Sequence, residues 1–113
     1  MILIDSPVEL SRILQDRVTG FSDMIKVVVD VQRGVIAADA ELHADLEEYL
    51  LAGESKQQDL WGANIYPEKS GDDFIEFTAF INIRPSQANR SMEVEDQEIR
   101  AKIKQIVAEK IIR

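Results

Sequence analysis

Cysteine is absent from this chain, and several other residue types are scarce: one histidine, one tryptophan and three prolines in 113 residues, with aromatics at 6%. The missing thiols exclude disulfides and thiolate metal sites, and they fit a reducing compartment. No apolar run approaches the roughly 18 residues of a membrane span. The apolar start, Met1 to Asp5, has neither the length nor the basic flank of a secretion signal. A cytoplasmic protein without membrane attachment is expected, so the Asn89-Arg90-Ser91 sequon carries no weight. Basic residues are also short, 13 against 21 acids, for a net charge of −8. The deficit is local: between 39 and 76, eleven acids face only Lys56 and Lys69. Such an acidic middle repels phosphate backbones and argues against nucleic acid as a partner.

What is present is an ordinary apolar share, 45%, in a chain of single-domain length, so residues 1–113 are read as one packed domain. Residues 1–5 read as a short strand. Ser6, Pro7 and Glu9 carry the signature of a capped helix start, followed by Leu10, Ile13, Leu14 and Val18 at helical spacing, with Gly20 placed to stop it. Met24 to Gln32 and Val35 to His43 both alternate apolar and polar, the mark of strands with one buried face. Joined by a turn at Arg33-Gly34, they pair so that Val27 faces Ala40 and Val29 faces Ala38, while Lys26 meets Glu41. Arg33 is a poor residue for the positive φ of a two-residue turn, which leaves the turn type open.

Asp45-Leu46-Glu47-Glu48 is a second capping signature, opening a short helix closed by Gly53. A rival reading starts this helix at Glu41 and stacks His43 on Glu47; the alternation up to His43 favours the strand. Leu60 to Tyr66 and Phe74 to Arg84 give two more strands, stopped by Pro85, which has no N–H for a ladder. A last helix begins near Gln97, capped by Asp96, with Ile99, Ile103, Ile106 and Val107 as its buried stripe. The order β-α-β-β-α-β-β-α predicts an α+β fold: a two-layer sandwich of a mainly antiparallel, five-stranded sheet with helices on one face.

The words ELHAD (41–45), DLWGANIYP (59–67) and INIRPSQANRS (81–91) resemble a family of small bacterial proteins of unknown function, and the likeness spans nearly the whole chain. It implies no activity, no cofactor and no catalytic residues.

Candidate chemistry therefore comes from the residues alone. An open sheet face would gather His43, Asn64, Asn82 and Arg84, and the loop after Pro85 adds Ser86, Gln87, Asn89 and Arg90. Amides and forked guanidinium groups beside Tyr66, Phe74 and Phe80 suit a small polar or anionic ligand. The same loop residues can equally bond their own backbone. A non-catalytic binding domain is the first expectation. A small metal-dependent hydrolase using Asp39, Glu41 and His43 from one strand face is the alternative, and a homodimer that buries Phe74 and Phe80 is the third. No phosphate loop, dinucleotide fingerprint or serine elbow is present, so no cofactor is expected.

Overall fold

The computed structural model describes every residue except Ser22. Five strands form one antiparallel sheet: β1 (Ile2–Ile4), β3 (Ile25–Asp30), β4 (Val35–Ala38), β5 (Leu60–Ile65) and β6 (Ile75–Glu76), in the spatial order β1-β4-β3-β5-β6. Two further short strands, β2 (Val8–Glu9) and β7 (Ile111–Ile112), pair in parallel. Three helices complete the fold: α1 (Leu10–Asp16), α2 (His43–Ala52) and α3 (Gln97–Lys110). The α+β class and the five-stranded antiparallel sheet are as the patterning predicts.

The hairpin register is not. Asp30 pairs with Val35, Val29 with Ile36 and Val27 with Ala38, two residues displaced from the expected pairing. A shift of two preserves the alternation, so apolar residues still meet apolar ones. Its cause lies in the turn. Buried Asp30 accepts the N–H groups of Gln32 and Arg33 (both 2.9 Å) and the Ser55 hydroxyl, which stretches the loop to four residues. Only Gly34, at φ +71°, then needs the left-handed region, and Arg33 avoids it.

Helices lie on both faces of the sheet, not one. Under α1 and α3, Val27, Val29, Ile36, Trp61 and Ala63 pack against Ile13, Ile103 and Val107. On the other face α2 lays Leu46 and Leu50 over Val28, Ala37 and Leu60. That is why Val28 stands between Lys26 and Asp30 on the otherwise polar face of β3. The expected wet face is therefore half covered.

The ends of several elements also move. Val8 and Glu9 pair with Ile111 and Ile112, so they stay extended and α1 starts at Leu10 with no side-chain cap, contrary to the Ser6 signature. Val18 lies beyond the helix and is exposed. Strand β4 stops at Ala38, because Asp39 turns the chain at φ +71°; α2 then begins at His43, as the rival helix reading had it nearly right. Strand β6 ends at Glu76. From Phe77 the chain pairs instead with 92–94, through Val94 N–H to Phe77 O and Ala79 N–H to Met92 O (both 3.0 Å). A single helical turn at Phe80–Asn82 breaks the rest of the predicted strand, and a second, Pro85–Gln87, follows where Pro85 was expected to end it. The α3 boundary holds, with the Asp96 carboxylate accepting Glu98 N–H at 2.8 Å.

Candidate functional site

The early end of β6 leaves the outer edge of β5 without a strand neighbour, and two of the predicted site residues fill the gap. Asn82, fully buried, accepts Gly62 N–H through Oδ1 (2.8 Å) and donates through Nδ2 to the Gly62 and Met92 carbonyls (3.0 Å each). Its amide thus copies a peptide unit of the missing strand. Gly62 has to be glycine for this: a Cβ there would lie 2.5 Å from the Ala79 Cβ.

One step further along β5, Arg84 is 8% exposed and gives all five of its guanidinium hydrogens to the protein. Nε donates to Ile81 O, Nη1 to Gln57 O and Gln87 Oε1, and Nη2 to Leu60 O and the Glu47 carboxylate. The group also stacks over Trp61 at 4.9 Å. Burial holds its pKa below the ordinary value, against the opposing pull of Glu47. Asn89 completes the knot: its amide donates to the carbonyls of Asn82, Ser91 and Glu93, and its oxygen accepts Glu95 N–H. So in the 84–91 segment Arg84 and Asn89 are spent on the protein's own backbone and side chains. Gln87 reaches Gln58 O at 3.0 Å; Ser86 and the Arg90 side chain project outward.

The other predicted residues meet at the far end of the same face. Lys26, Asn64 and Glu76 align across β3, β5 and β6. His43, the first residue of α2, roofs them and donates from Nε2 to Ala63 O at 2.9 Å, which fixes the neutral tautomer. Burial holds the imidazole below its ordinary pKa. The hydrogen bond to Ala63 and the Glu76 charge act the other way, and Lys26 reinforces the depression. Asn64 donates to Glu76 Oε1 (2.8 Å) and Thr78 O (3.2 Å), which leaves its buried Oδ1 without a partner.

The hydrolase reading loses its geometric premise here. Asp39, Glu41 and His43 do not share a strand face. Asp39 accepts Val18 N–H (2.8 Å), Thr19 N–H and the Thr19 hydroxyl (2.6 Å), and Lys26 bonds the Glu41 carbonyl, not its carboxylate. Among the described residues, no three His, Asp or Glu side chains are placed to hold a metal ion. The aromatic face assumed for a homodimer is also divided, for Phe74 is buried and Phe80 is 76% exposed.

A concavity that the sequence reading missed opens on the opposite flank of α2. It has a volume of about 550 Å³. Its walls are the 18–19 segment, the turn at 39–41 and the α2 side chains Asp45, Glu48, Tyr49 and Ala52, with Met1 at one side. The Asp39 carboxylate stays ionised at its edge: burial would raise its pKa, but the bonds from Thr19 and Val18 hold it below the ordinary value. A signal was present. Asp45, Glu48, Tyr49 and Ala52 are spaced three and four apart, the step of one helical flank.

No helix of the described residues is long and apolar enough to cross a membrane. No curated protein and no solved structure matches the chain. Residues 2–110, which hold the β5-edge knot, the polar row and most of this cleft, match a family described as proteins of unknown function, DUF5674, and the chain belongs to it.

Proposed function

We propose that this chain is a non-catalytic binding domain, with its ligand seated in the cleft beside α2. One observation carries the reading. The buried polar groups of Arg84, Asn82, Asn89 and Asp30 are bonded to the protein's own backbone and side chains, whereas the 550 Å³ cleft is open and within the size range of small-molecule sites. The ligand is a small molecule with polar character; the anionic ligand that the 84–91 segment suggested would find only Ser86 and Arg90 uncommitted there.

A titration of ¹⁵N-labelled protein with a metabolite library tests this. Shift changes clustered at Val18, Thr19, 39–41 and Tyr49 support it. Changes confined to residues 86–90, or a library that moves nothing, would sink it.

A second reading, a homodimer, is favoured by Phe80 and Ile83, which lie exposed three residues apart. Light scattering across a concentration series, repeated on Phe80→Ser, decides it: a dimer that dissociates in the variant supports the reading, and a monomer throughout removes it.

A further inference from the structure

We infer that the open edge of β1 takes up an extended peptide segment of a partner as a further strand of the sheet, its apolar side chains alternating between two hollows. This surface is distinct from the cleft, and the inference does not rest on it.

The register leaves the edge bare. Hydrogen bonds alternate along an antiparallel strand. Asp39 N–H donates to Lys26 O at 3.1 Å, so Val35, Ala37 and Asp39 turn their peptide groups to β3, and Ile36 and Ala38 turn theirs to β1. Ile4 and Ile2 stand opposite those two. Leu3, between them, directs its N–H and C=O away from the sheet, and among the described residues β1 has β4 as its one strand neighbour. The open stretch ends where the Asp5 carbonyl accepts the Lys110 ammonium at 3.1 Å.

Sheets protect such an edge with a charge, a proline or a bulge. The other side of this sheet is protected, for Asn82 and Arg84 close β5 with their side chains. Ile2–Ile4 is apolar throughout, and Leu3 is 38% exposed. Both faces beside it are hollow. On the α2 side about 290 Å³ lies between Leu3, Tyr49, Leu50, Ala52 and Gly53. On the α1 side a groove of about 420 Å³ runs past Ile2, Ile4, Pro7, Val8 and Ile13. The side chains of an added strand alternate between the same two faces. The residue opposite Leu3 therefore enters the first hollow and its neighbours the second, the pattern of strand addition with a pocket for alternate side chains.

A second copy of the chain fits the edge less well. Its own β1 would lie alongside, but its Ile4 is buried in its own core and its Ile2 packs against that core, so neither can fill the groove. With the hollows empty, the strand contact is three residues a side, against roughly 20–30 in a stable interface. It would also bring together two chains of net charge −8.

The probe is the blocked peptide acetyl-KTVLVTK-amide, titrated into the full ¹⁵N-labelled chain beside a copy N-methylated at its central leucine. Methylation keeps every side chain and removes the N–H that would pair with the Leu3 carbonyl. The first peptide should shift the amides of Leu3, Asp5 and Gly53 and slow the hydrogen exchange of Leu3, and the methylated copy should bind about tenfold more weakly. Leu3→Pro removes the outward N–H and leaves the bonds between β1 and β4 in place, so it should fold and lose the peptide to a similar extent. If that variant does not fold, the methylated peptide decides alone. Equal binding of the two peptides shows apolar adsorption and overturns the inference, as does an absence of shifts at Leu3 and Asp5. A chain that light scattering finds dimeric, with the Leu3 amide protected before any peptide is added, assigns the edge to a second copy and overturns it too. None of these outcomes bears on the cleft, which the metabolite titration tests.

Discussion

The two faces of the sheet are built by different chemistry. Under α1 and α3 the interior is apolar throughout, from Ile4 and Val27 to Trp61, Ile103 and Val107. On the α2 face a smaller apolar cluster, Val28, Ala37, Leu46, Leu50 and Leu60, is ringed by Asp30, Asn64, Asn82 and Arg84, all buried. The first face is held by area removed from water and is indifferent to direction. The second is held by hydrogen bonds to particular backbone groups, so it tolerates change of size better than change of geometry.

The sharpest break of this symmetry should come at Arg84. Replacing it by Met keeps much of its bulk but leaves the carbonyls of Gln57, Leu60 and Ile81 without their donor and Glu47 without its partner. A loss of about 3–5 kcal/mol is expected in urea unfolding. Arg84→Lys should recover little of it, since an ammonium cannot reach the same fan of acceptors. If Lys restores stability, charge alone and not direction holds this face.

Next comes Asn82→Leu, which keeps the volume and removes the amide that stands in for a strand. Both backbone groups of Gly62 lose their partners, at a cost of about 2–4 kcal/mol for two buried groups. On the apolar face, Ile103→Val removes one methylene from a fully buried site and should cost about 0.5–1.5 kcal/mol by the same measurement. An Asn82→Leu effect no larger than that of Ile103→Val would erase the distinction between the faces.

The smallest effect is in pH. His43 in the folded protein is held below its ordinary pKa, chiefly by burial. Between the folded value and the unfolded one, near 6.5, the unfolded chain binds more protons. The contribution is therefore complete above the ordinary imidazole range and is lost as pH falls through it. His43→Gln should flatten the stability profile just below the ordinary imidazole pKa of about 6.5, leaving the carboxylate region unchanged. An unaltered slope would mean that the imidazole is as solvated in the fold as out of it.

How much of this was legible in the sequence follows the same division. Alternation identified strands β3, β4 and β5 and put Trp61, Val27 and Val29 inside, because period-two burial depends only on which residues are apolar. The α3 boundary was legible because a local signal, Asp96 bonding Glu98, decides it. Local signals failed where a distant partner overrode them: Val8 and Glu9 are drawn extended by residues from the other end of the chain, so the Ser6 signature goes unused. The Phe74–Arg84 alternation misled for a related reason. Period two put Asn82 and Arg84 on the open face of a strand beside β5; they meet β5 instead with side-chain amide and guanidinium groups, and a sequence does not say whether the backbone or the side chain closes a ladder. The residues picked as a site were picked for their hydrogen-bonding capacity, and the fold uses that capacity to finish its own sheet. The cleft was missed because its parts, from Val18 to Tyr49, meet only once β4 stops at Ala38 and α2 folds back.

The pairing of Val8–Glu9 with Ile111–Ile112 joins segments roughly a hundred residues apart for only two rungs of ladder. Closing so large a loop for so little contact is unfavourable until the central hairpin and α3 are already in place. The first helix should therefore dock late during refolding and be the first part to exchange its amide hydrogens, a slow-forming clasp on a quickly formed middle.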